Sequence, residues 1–568
     1  MIPPELLAQV RAWCDVDPDP DTRGELERLL DDDDVDALRS RFDDRLRFGT
    51  AGLRGALGGG PNRMNRVVVR QAARGLVRWL GPTPRVVIGW DARHNSDVFA
   101  RDTAAVVAAA GGVALLVPGP IPTPVLAFAV RHLAADAGVM VTASHNPPQD
   151  NGYKVYLGDG AQLVPPADRE IEALIIEGGL PPLEIARPLA GGRIDELDDS
   201  VVQAYVNAVV AANPIPVEPG TAPLRVVYTA LHGVGADVLA RVFAAAGLPE
   251  LVMVPSQSEP DGTFPTVAFP NPEEAGAMDA ALALATDVSA DLVLANDPDA
   301  DRLAVAVPAA PGADGEGMAW TALSGDAVGG LLGSAVLDAT AGYGGERVVA
   351  SSLVSSRLLG RVAAAAGVEY VSTLTGFKWI ARVALDRPSS RFVFGYEEAL
   401  GYDVSDTVLD KDGISAALAM VGLATNAAAA GRSVTDVLDD LALRHGVHAT
   451  RPVTVRTDPE AGLDGLASIM ARVRAQSPTE LAGEAVVGAS DGLVWTELPP
   501  SDLLRYDLAD GSRVIIRPSG TEPKVKAYLE VVVPVADAEG LAAARAHADR
   551  RLDDLAAAVR HLLGTGPG

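Results

Sequence analysis

At 568 residues the chain is too long for one hydrophobic core, and roughly three to five domains are expected. Its composition, 48% hydrophobic and 21% charged, is that of a folded soluble protein. A net charge of −28 argues against nucleic acid or an anionic membrane as partner, since both need a basic field, but a small anion held by local cations remains open.

The first residues, MIPPELLAQVRAW, lack the basic start and apolar core of a signal peptide. Cys14 is the single cysteine, which fits a reducing, cytoplasmic setting without disulfides. The acidic stretch LLDDDDVDALRSRFDDRL reads as a solvated helical hairpin rather than a metal site.

From about residue 85, short β-rich runs alternate with alanine-rich helical stretches, the pattern of parallel sheets with crossover helices. It occurs three times. RVVIGWDAR, VALLVPGP and AGVMVTASHNP lie between 85 and 147; RVVYTALHGVG, ELVMVPSQSEPDG and ADLVLANDPDADR between 225 and 302; RVVASSLVSS, VEYVSTLTGFKWI and RFVFGYEEALGY between 347 and 402. In each repeat the third strand runs into a loop rich in reactive residues, and ligands of open α/β sheets sit outside the carboxyl ends of the strands. The apolar stretch ISAALAMVGLATNAAAA, 414 to 430, is too short for a membrane span and reads as a buried helix. Past 446, VTVRT, LVWTEL, GSRVIIRPSG and KVKAYLEVVV suggest antiparallel strands, followed by an alanine-rich helix. The expected architecture is α/β: three similar domains with mainly parallel sheets, 1–212, 213–328 and 329–446, and an α+β domain, 447–568.

Four loops carry chemistry. In VMVTASHNPPQDNGYKVY a strand delivers Ser144 onto a loop stiffened by Pro147 and Pro148, with His145, Asn146 and Lys154 able to surround an anion. Phosphoryl transfer depends on such positioning and electrostatics. In NDPDADR, Asp297, Asp299 and Asp301 alternate, so an extended loop would aim three carboxylates one way; they repel unless a cation such as Mg²⁺ lies between them, with Arg302 beside it. In FGYEEALGY, Glu397 and Glu398 can accept hydrogen bonds from the vicinal hydroxyls of a sugar. In IIRPSGTEPKVKAYLE, Arg517, Ser519, the amides around Gly520, Thr521 and Lys524 form an anion-binding loop.

TASHNPPQDNGYK, NDPDADR, GYEEALGY and RPSGTEPK resemble the four motifs of the α-D-phosphohexomutases, in that family's order, and FGTAGLRG, TALHGVG, DGTFPTVAFPNPE and TGFKWI match further family segments. The resemblance is nearest to the branch that holds phosphoglucomutase/phosphomannomutase and phosphopentomutase-like enzymes. It implies four domains around a central cleft, a phosphoserine at Ser144, and Mg²⁺ held by Asp297, Asp299 and Asp301 together with that serine. It also implies sugar contacts at Glu397 and Glu398, a phosphate loop at 517–524, and cleft cations at Arg54, Lys154, Arg302 and Lys378. A sugar hydroxyl would attack phospho-Ser144 to give an enzyme-bound sugar bisphosphate, which turns around and returns its other phosphate; that bisphosphate would also act as activator. Lys154, its pKa lowered by desolvation, is the expected general base, with Arg54 and His145 completing the catalytic set. Where many glucose- and mannose-using relatives carry serine, two positions after the first glutamate, this chain has Ala399. The expected activity is interconversion of hexose 1- and 6-phosphates. Pentose phosphates, a sugar phosphatase and a non-catalytic sugar-phosphate binder are the alternatives.

Overall fold

The computed structural model describes residues 1–49, 52–309, 319–456, 462–518 and 524–564. The chain forms two compact units. The first comprises 1–323, 384–386 and 399–425; the second comprises 324–383, 387–398 and 426–568.

The first unit contains two sheets. One has strands β1 (Leu53–Ala56), β2 (Arg85–Trp90), β3 (Val113–Leu116), β4 (Ala137–Val141), β5 (Asp150–Leu157) and β6 (Arg193–Glu196), in the order β1-β5-β4-β2-β3-β6. The other has β7 (Val226–Thr229), β8 (Val252–Met253), β9 (Leu292–Ala295), β10 (Ala304–Pro308) and β11 (Trp320–Ala322), in the order β11-β10-β9-β7-β8. In the second unit, β12 (Glu346–Ser352) lies between β13 (Glu369–Thr373) and β14 (Ser390–Glu397). The threefold rhythm is therefore one topology repeated: β2, β7 and β12 each pair in parallel with the two strands that follow them. Burial explains the sequence pattern. β3, β4, β7 and β9 are buried along their whole length, so they read as continuous apolar runs rather than alternating ones.

The acidic N-terminal stretch forms helices Pro20–Asp31 and Val35–Phe42, which bury Leu26 and Leu38 and face their charges outward. Helix Gly413–Ala429 is buried from Gly413 to Thr425. Among the described residues no single helix is long and apolar enough to cross a membrane.

Residues from Val447 onward build a six-stranded antiparallel sheet, covered by helix Leu541–Leu563. LVWTEL, expected as a strand, is not one. Asp491 accepts the Leu493 amide and closes a 3-10 turn over Gly492–Val494; Val494 is exposed, and Pro499 and Pro500 follow. The strands at this place are Glu484–Asp491 and Leu504–Leu508, which pair across the turn. Glu530 anchors this sheet to the β12–β14 domain inside the second unit. It accepts from the Ser356 hydroxyl (2.9 Å), the Arg357 amide and Nε (2.7 Å each), His448 Nδ1 (3.1 Å) and Arg513 Nη2 (2.9 Å).

Candidate active site

β4 ends at Val141, and the chain turns at once. The Thr142 hydroxyl accepts the Ser144 amide at 2.8 Å, and Ser144 adopts a left-handed conformation, φ 53°. That conformation is uncommon for a residue with a Cβ and marks a backbone held by its surroundings. Ser144 is buried, and its Oγ donates to Asp297 Oδ2 at 2.7 Å and lies 3.1 Å from His145 Nδ1. Arg54 Nη1 donates to Asn146 Oδ1 at 3.0 Å, and Asn146 Nδ2 donates to Asp150.

The aspartates follow β9, but they do not converge by extended alternation. Ala300, at φ 55°, bends the loop, and its amide donates to Asp297 O at 2.9 Å. The turn, not a strand, brings the three carboxylates together, with one oxygen of each within 4.8 Å of the others. All three are fully buried. The Val234 amide of TALHGVG holds Pro298 O at 2.8 Å, and Gly233 lies so close that a Cβ would stand 2.3 Å from Pro298 Cα. Thr123 fixes Asp299 by its amide (2.9 Å) and hydroxyl (2.6 Å).

Two lysines neutralise the cage. Lys154 Nζ reaches Asp299 Oδ2 at 2.6 Å and Asp301 Oδ2 at 2.8 Å, while Lys411 Nζ reaches the same Asp301 oxygen at 2.8 Å. The expected depression of the Lys154 pKa is not found. Burial alone acts in that direction, but Asp299 and Asp301 outweigh it and raise the pKa, so Lys154 is an ammonium. Burial likewise opposes ionisation of Asp301, yet Lys154, Lys411 and Arg302 hold it far below the usual range. Asp297, which lacks such a lysine contact, is pushed well up by burial and by Asp299 and Asp301. Burial, Arg302 and Arg54 push the His145 imidazole well below its ordinary 6.5, so it is neutral.

The residues fit a hard divalent cation. Among the described residues, Asp299 Oδ1 and Asp301 Oδ1 are buried without a hydrogen-bond partner. Two carboxylate oxygens deprived of water in this way suit an oxygen-seeking cation such as Mg²⁺. Asp297 and the Ser144 hydroxyl would complete the set.

The remaining candidates lie in the second unit. Glu397 and Lys378 are buried, at the end of β14 and in helix Phe377–Asp386 respectively. Glu398 Oε2 accepts from Ser352 (3.0 Å) and Ser355 (3.1 Å). Arg517 and Lys524 lie on the antiparallel strands Arg513–Pro518 and Lys524–Val533; Ser519, Gly520 and Thr521 lie outside the described residues. Tyr528 links the two groups. Burial, then Glu398, raises its pKa, Glu397 adds to the rise, and the positive charge of Arg517 opposes it. The carboxylates proposed for sugar hydroxyls and the first cation of the phosphate loop thus share one neighbourhood.

Sequence reasoning missed Lys411 and Arg93. Lys411 stands in DKDG directly before a helix that is buried from Gly413 to Thr425, a position where a charged run needs buried partners. Arg93, in GWDARHNS, is buried and donates to main-chain carbonyls of the Ser144 loop.

Four family descriptions match in order: phosphoglucomutase/phosphomannomutase alpha/beta/alpha domain I at residues 45–180, domain II at 203–312, domain III at 324–444 and the C-terminal domain at 466–548. A Haemophilus influenzae protein named as a probable phosphomannomutase is 44% identical, over 88% of this chain and 98% of its own. A Mus musculus phosphopentomutase is 32% identical, over 96% and 93%. A solved phosphoglucomutase/phosphomannomutase family protein from Burkholderia thailandensis shares the fold, with TM-score 0.67 and 21% identity, covering 92% of this chain and 98% of that one.

Proposed function

The chain belongs to the phosphoglucomutase/phosphomannomutase family of the α-D-phosphohexomutases, an isomerase that moves a phosphoryl group within a phosphosugar, and from that premise we propose that it interconverts hexose 1-phosphate and hexose 6-phosphate through phospho-Ser144. The observation that supports this most directly is the contact of Ser144 Oγ with Asp297 inside a buried cage of three carboxylates. A serine hydroxyl bonded to a would-be metal ligand suits the roles of phosphoryl carrier and leaving group.

Mg²⁺ bound by Asp297, Asp299, Asp301 and Ser144 would neutralise charge on the transferring phosphoryl oxygens. The chain's own residues do the rest. The substrate's free hydroxyl attacks the phosphorus on Ser144; the new O–P bond forms, the Ser144 Oγ–P bond breaks, and the hydroxyl proton leaves. Lys154, bonded to Asp299 and Asp301, is an electrostatic partner of the moving phosphoryl group. The proton passes to a base at the cage and is returned when the second phosphate comes back to the serine; His145, beside Ser144, and Lys154 are the candidates for that base. Arg54 and Arg302 supply further positive charge. Glu397 and Glu398 accept sugar hydroxyls, and Arg517, Ser519, Gly520, Thr521 and Lys524 take the phosphate that is not transferred, with Lys378 as a further cation. The sugar bisphosphate formed midway is also the activator that charges Ser144. A cytoplasmic setting accords with the single cysteine.

One observation favours a second reading, phosphopentose as substrate. Ala399 lacks the hydroxyl that many hexose-using relatives carry, and phosphopentomutases are among the relatives. Parallel assays of glucose, mannose, ribose and deoxyribose 1-phosphates with Mg²⁺ and a catalytic amount of the matching bisphosphate decide. Turnover of none, by phosphorylated protein, refutes the mutase assignment; preference for the pentoses replaces the hexose reading.

A further inference from the structure

GWDARHNS and DGTFPTVAFPNPE have no part in the transfer as described, yet they meet at one side chain. Arg93 is 3% exposed. Its guanidinium donates to four main-chain carbonyls of the serine loop: Nη2 to Ser144 and Asn146, and Nη1 to Pro147 at 2.8 Å and Asp150 at 3.0 Å. Asp91 holds it from behind, with Oδ2 3.4 Å from Nε and Oδ1 accepting the Arg93 amide at 3.0 Å. The Phe264 ring covers its other side, with Cζ 4.9 Å from the ring centroid. Gly262 permits that approach, since a Cβ there would lie 2.5 Å from Ala92 O.

The same turn is tied to the metal loop. The Asp261 amide donates to His232 O at 2.8 Å, and two residues on from His232 the Val234 amide donates to Pro298 O. One continuous set of contacts thus runs from the aspartate loop, through TALHGVG and DGTF, to Arg93 and the carbonyl of Ser144.

We propose that Arg93 is a positioning residue for phosphoryl transfer: it holds the serine loop in the left-handed turn that aims Ser144 Oγ at Asp297. The inference rests on the mutase reading above. Ser144, Asn146 and Pro147 lie between β4 and β5, outside the sheet ladder, and Asp150 opens β5; a planar five-donor fork reaches all four carbonyls at once. Lysine keeps the charge but cannot reproduce that geometry. Arg93 meets Ser144 only at its main-chain carbonyl, not at the hydroxyl that would carry the phosphoryl group, so its loss should appear in the chemical step and not in substrate binding.

The test compares wild type, Arg93→Lys and Phe264→Leu in Mg²⁺ with glucose 1-phosphate, or whichever sugar 1-phosphate the wild type turns over, and its bisphosphate. Phosphoserine occupancy is read by intact mass, and folding by melting temperature. We expect Arg93→Lys to fold and keep KM within about threefold while kcat per phosphorylated molecule falls about 100-fold, the effect of a displacement near 1 Å at a reacting group. Phe264→Leu should lose about three- to tenfold in kcat with KM unchanged, as the guanidinium keeps its hydrogen bonds but not its aromatic cover. A folded Arg93→Lys with wild-type kcat per phosphorylated molecule, or with its loss confined to KM, overturns the proposal. If Arg93→Lys does not fold, an unchanged kcat in Phe264→Leu overturns it. A wild type inactive on every sugar phosphate overturns the mutase reading and this inference together, whereas an active wild type matched by Arg93→Lys overturns the inference alone.

Discussion

Replacing Lys154 by methionine separates its charge from its bulk. Lys154 is 5% exposed, and its ammonium lies 2.6 Å from Asp299 and 2.8 Å from Asp301. Asp301 would keep Lys411 at 2.8 Å, but the Asp299 carboxylate would keep the neutral Thr123 hydroxyl in place of an ammonium, the Thr123 amide being spent on the Asp299 main-chain carbonyl. Stripping one partner from a buried ion pair costs about 3–5 kcal/mol, because the remaining charge is left uncompensated. The raised Lys154 pKa puts this contribution fully in place below the unfolded lysine pKa, and it is lost only as pH rises through the still higher folded value; neutral pH does not touch it. A bound divalent cation would supply the missing positive charge. Melting curves in chelator and in saturating Mg²⁺ are the assay. The variant should melt several degrees below wild type in chelator, and Mg²⁺ should close half or more of the gap. Equal stability in chelator, or a gap that Mg²⁺ leaves untouched, would refute the picture of lysines balancing a cation cage.

Glu530 is held well below the usual carboxylate range because His448, Arg513 and Arg357 outweigh its burial, so its stabilisation is complete above about pH 4.5 and is lost as pH falls. The deficit of Glu530→Gln relative to wild type, measured by melting, should shrink between pH 7 and pH 4; a constant deficit contradicts this. Asp326 has the opposite sign: burial pushes it up to about 6, so stability present below the unfolded value of 3.8 is lost as pH rises through 6. Asp326→Asn keeps an acceptor for the Ser356 amide and the Tyr396 hydroxyl, and should gain up to about 3 kcal/mol on wild type between pH 4 and pH 8; a pH-independent difference refutes the assignment. Gly233→Ala drives a Cβ into Pro298 and should cost about 1–3 kcal/mol while raising the Mg²⁺ concentration needed for half-maximal activity; an unchanged Mg²⁺ requirement shows that Gly233 does not set the metal loop.

Ser144 and the aspartates were legible because each set is contiguous and follows a strand whose apolar run is unmistakable. The three-sheet rhythm was legible because strands buried on both faces have a composition unlike their surroundings. Arg93 and Lys411 were not. Each is one polar residue far from Ser144 in sequence, brought near by β2 beside β4 and by the loop entering a buried helix; for Arg93 nothing local distinguishes it from a solvated charge, and for Lys411 the one signal is the apolar helix that follows. The charge state of Lys154 was misread because burial alone was weighed, without the two carboxylates that the loop at 297–301 presents to it. LVWTEL has strand-like composition, but a side-chain cap and two prolines decide its shape.

The central claim is that Ser144 carries the phosphoryl group. Intact mass and peptide mapping of wild type and Ser144→Ala, after exposure to a sugar bisphosphate with Mg²⁺ and alongside turnover assays, test it most directly. The account predicts one stable phosphoryl mass on the wild-type peptide containing Ser144, no such mass on the variant, and loss of nearly all turnover with it. A phosphoryl group found on another residue, or wild-type turnover by Ser144→Ala, would contradict it.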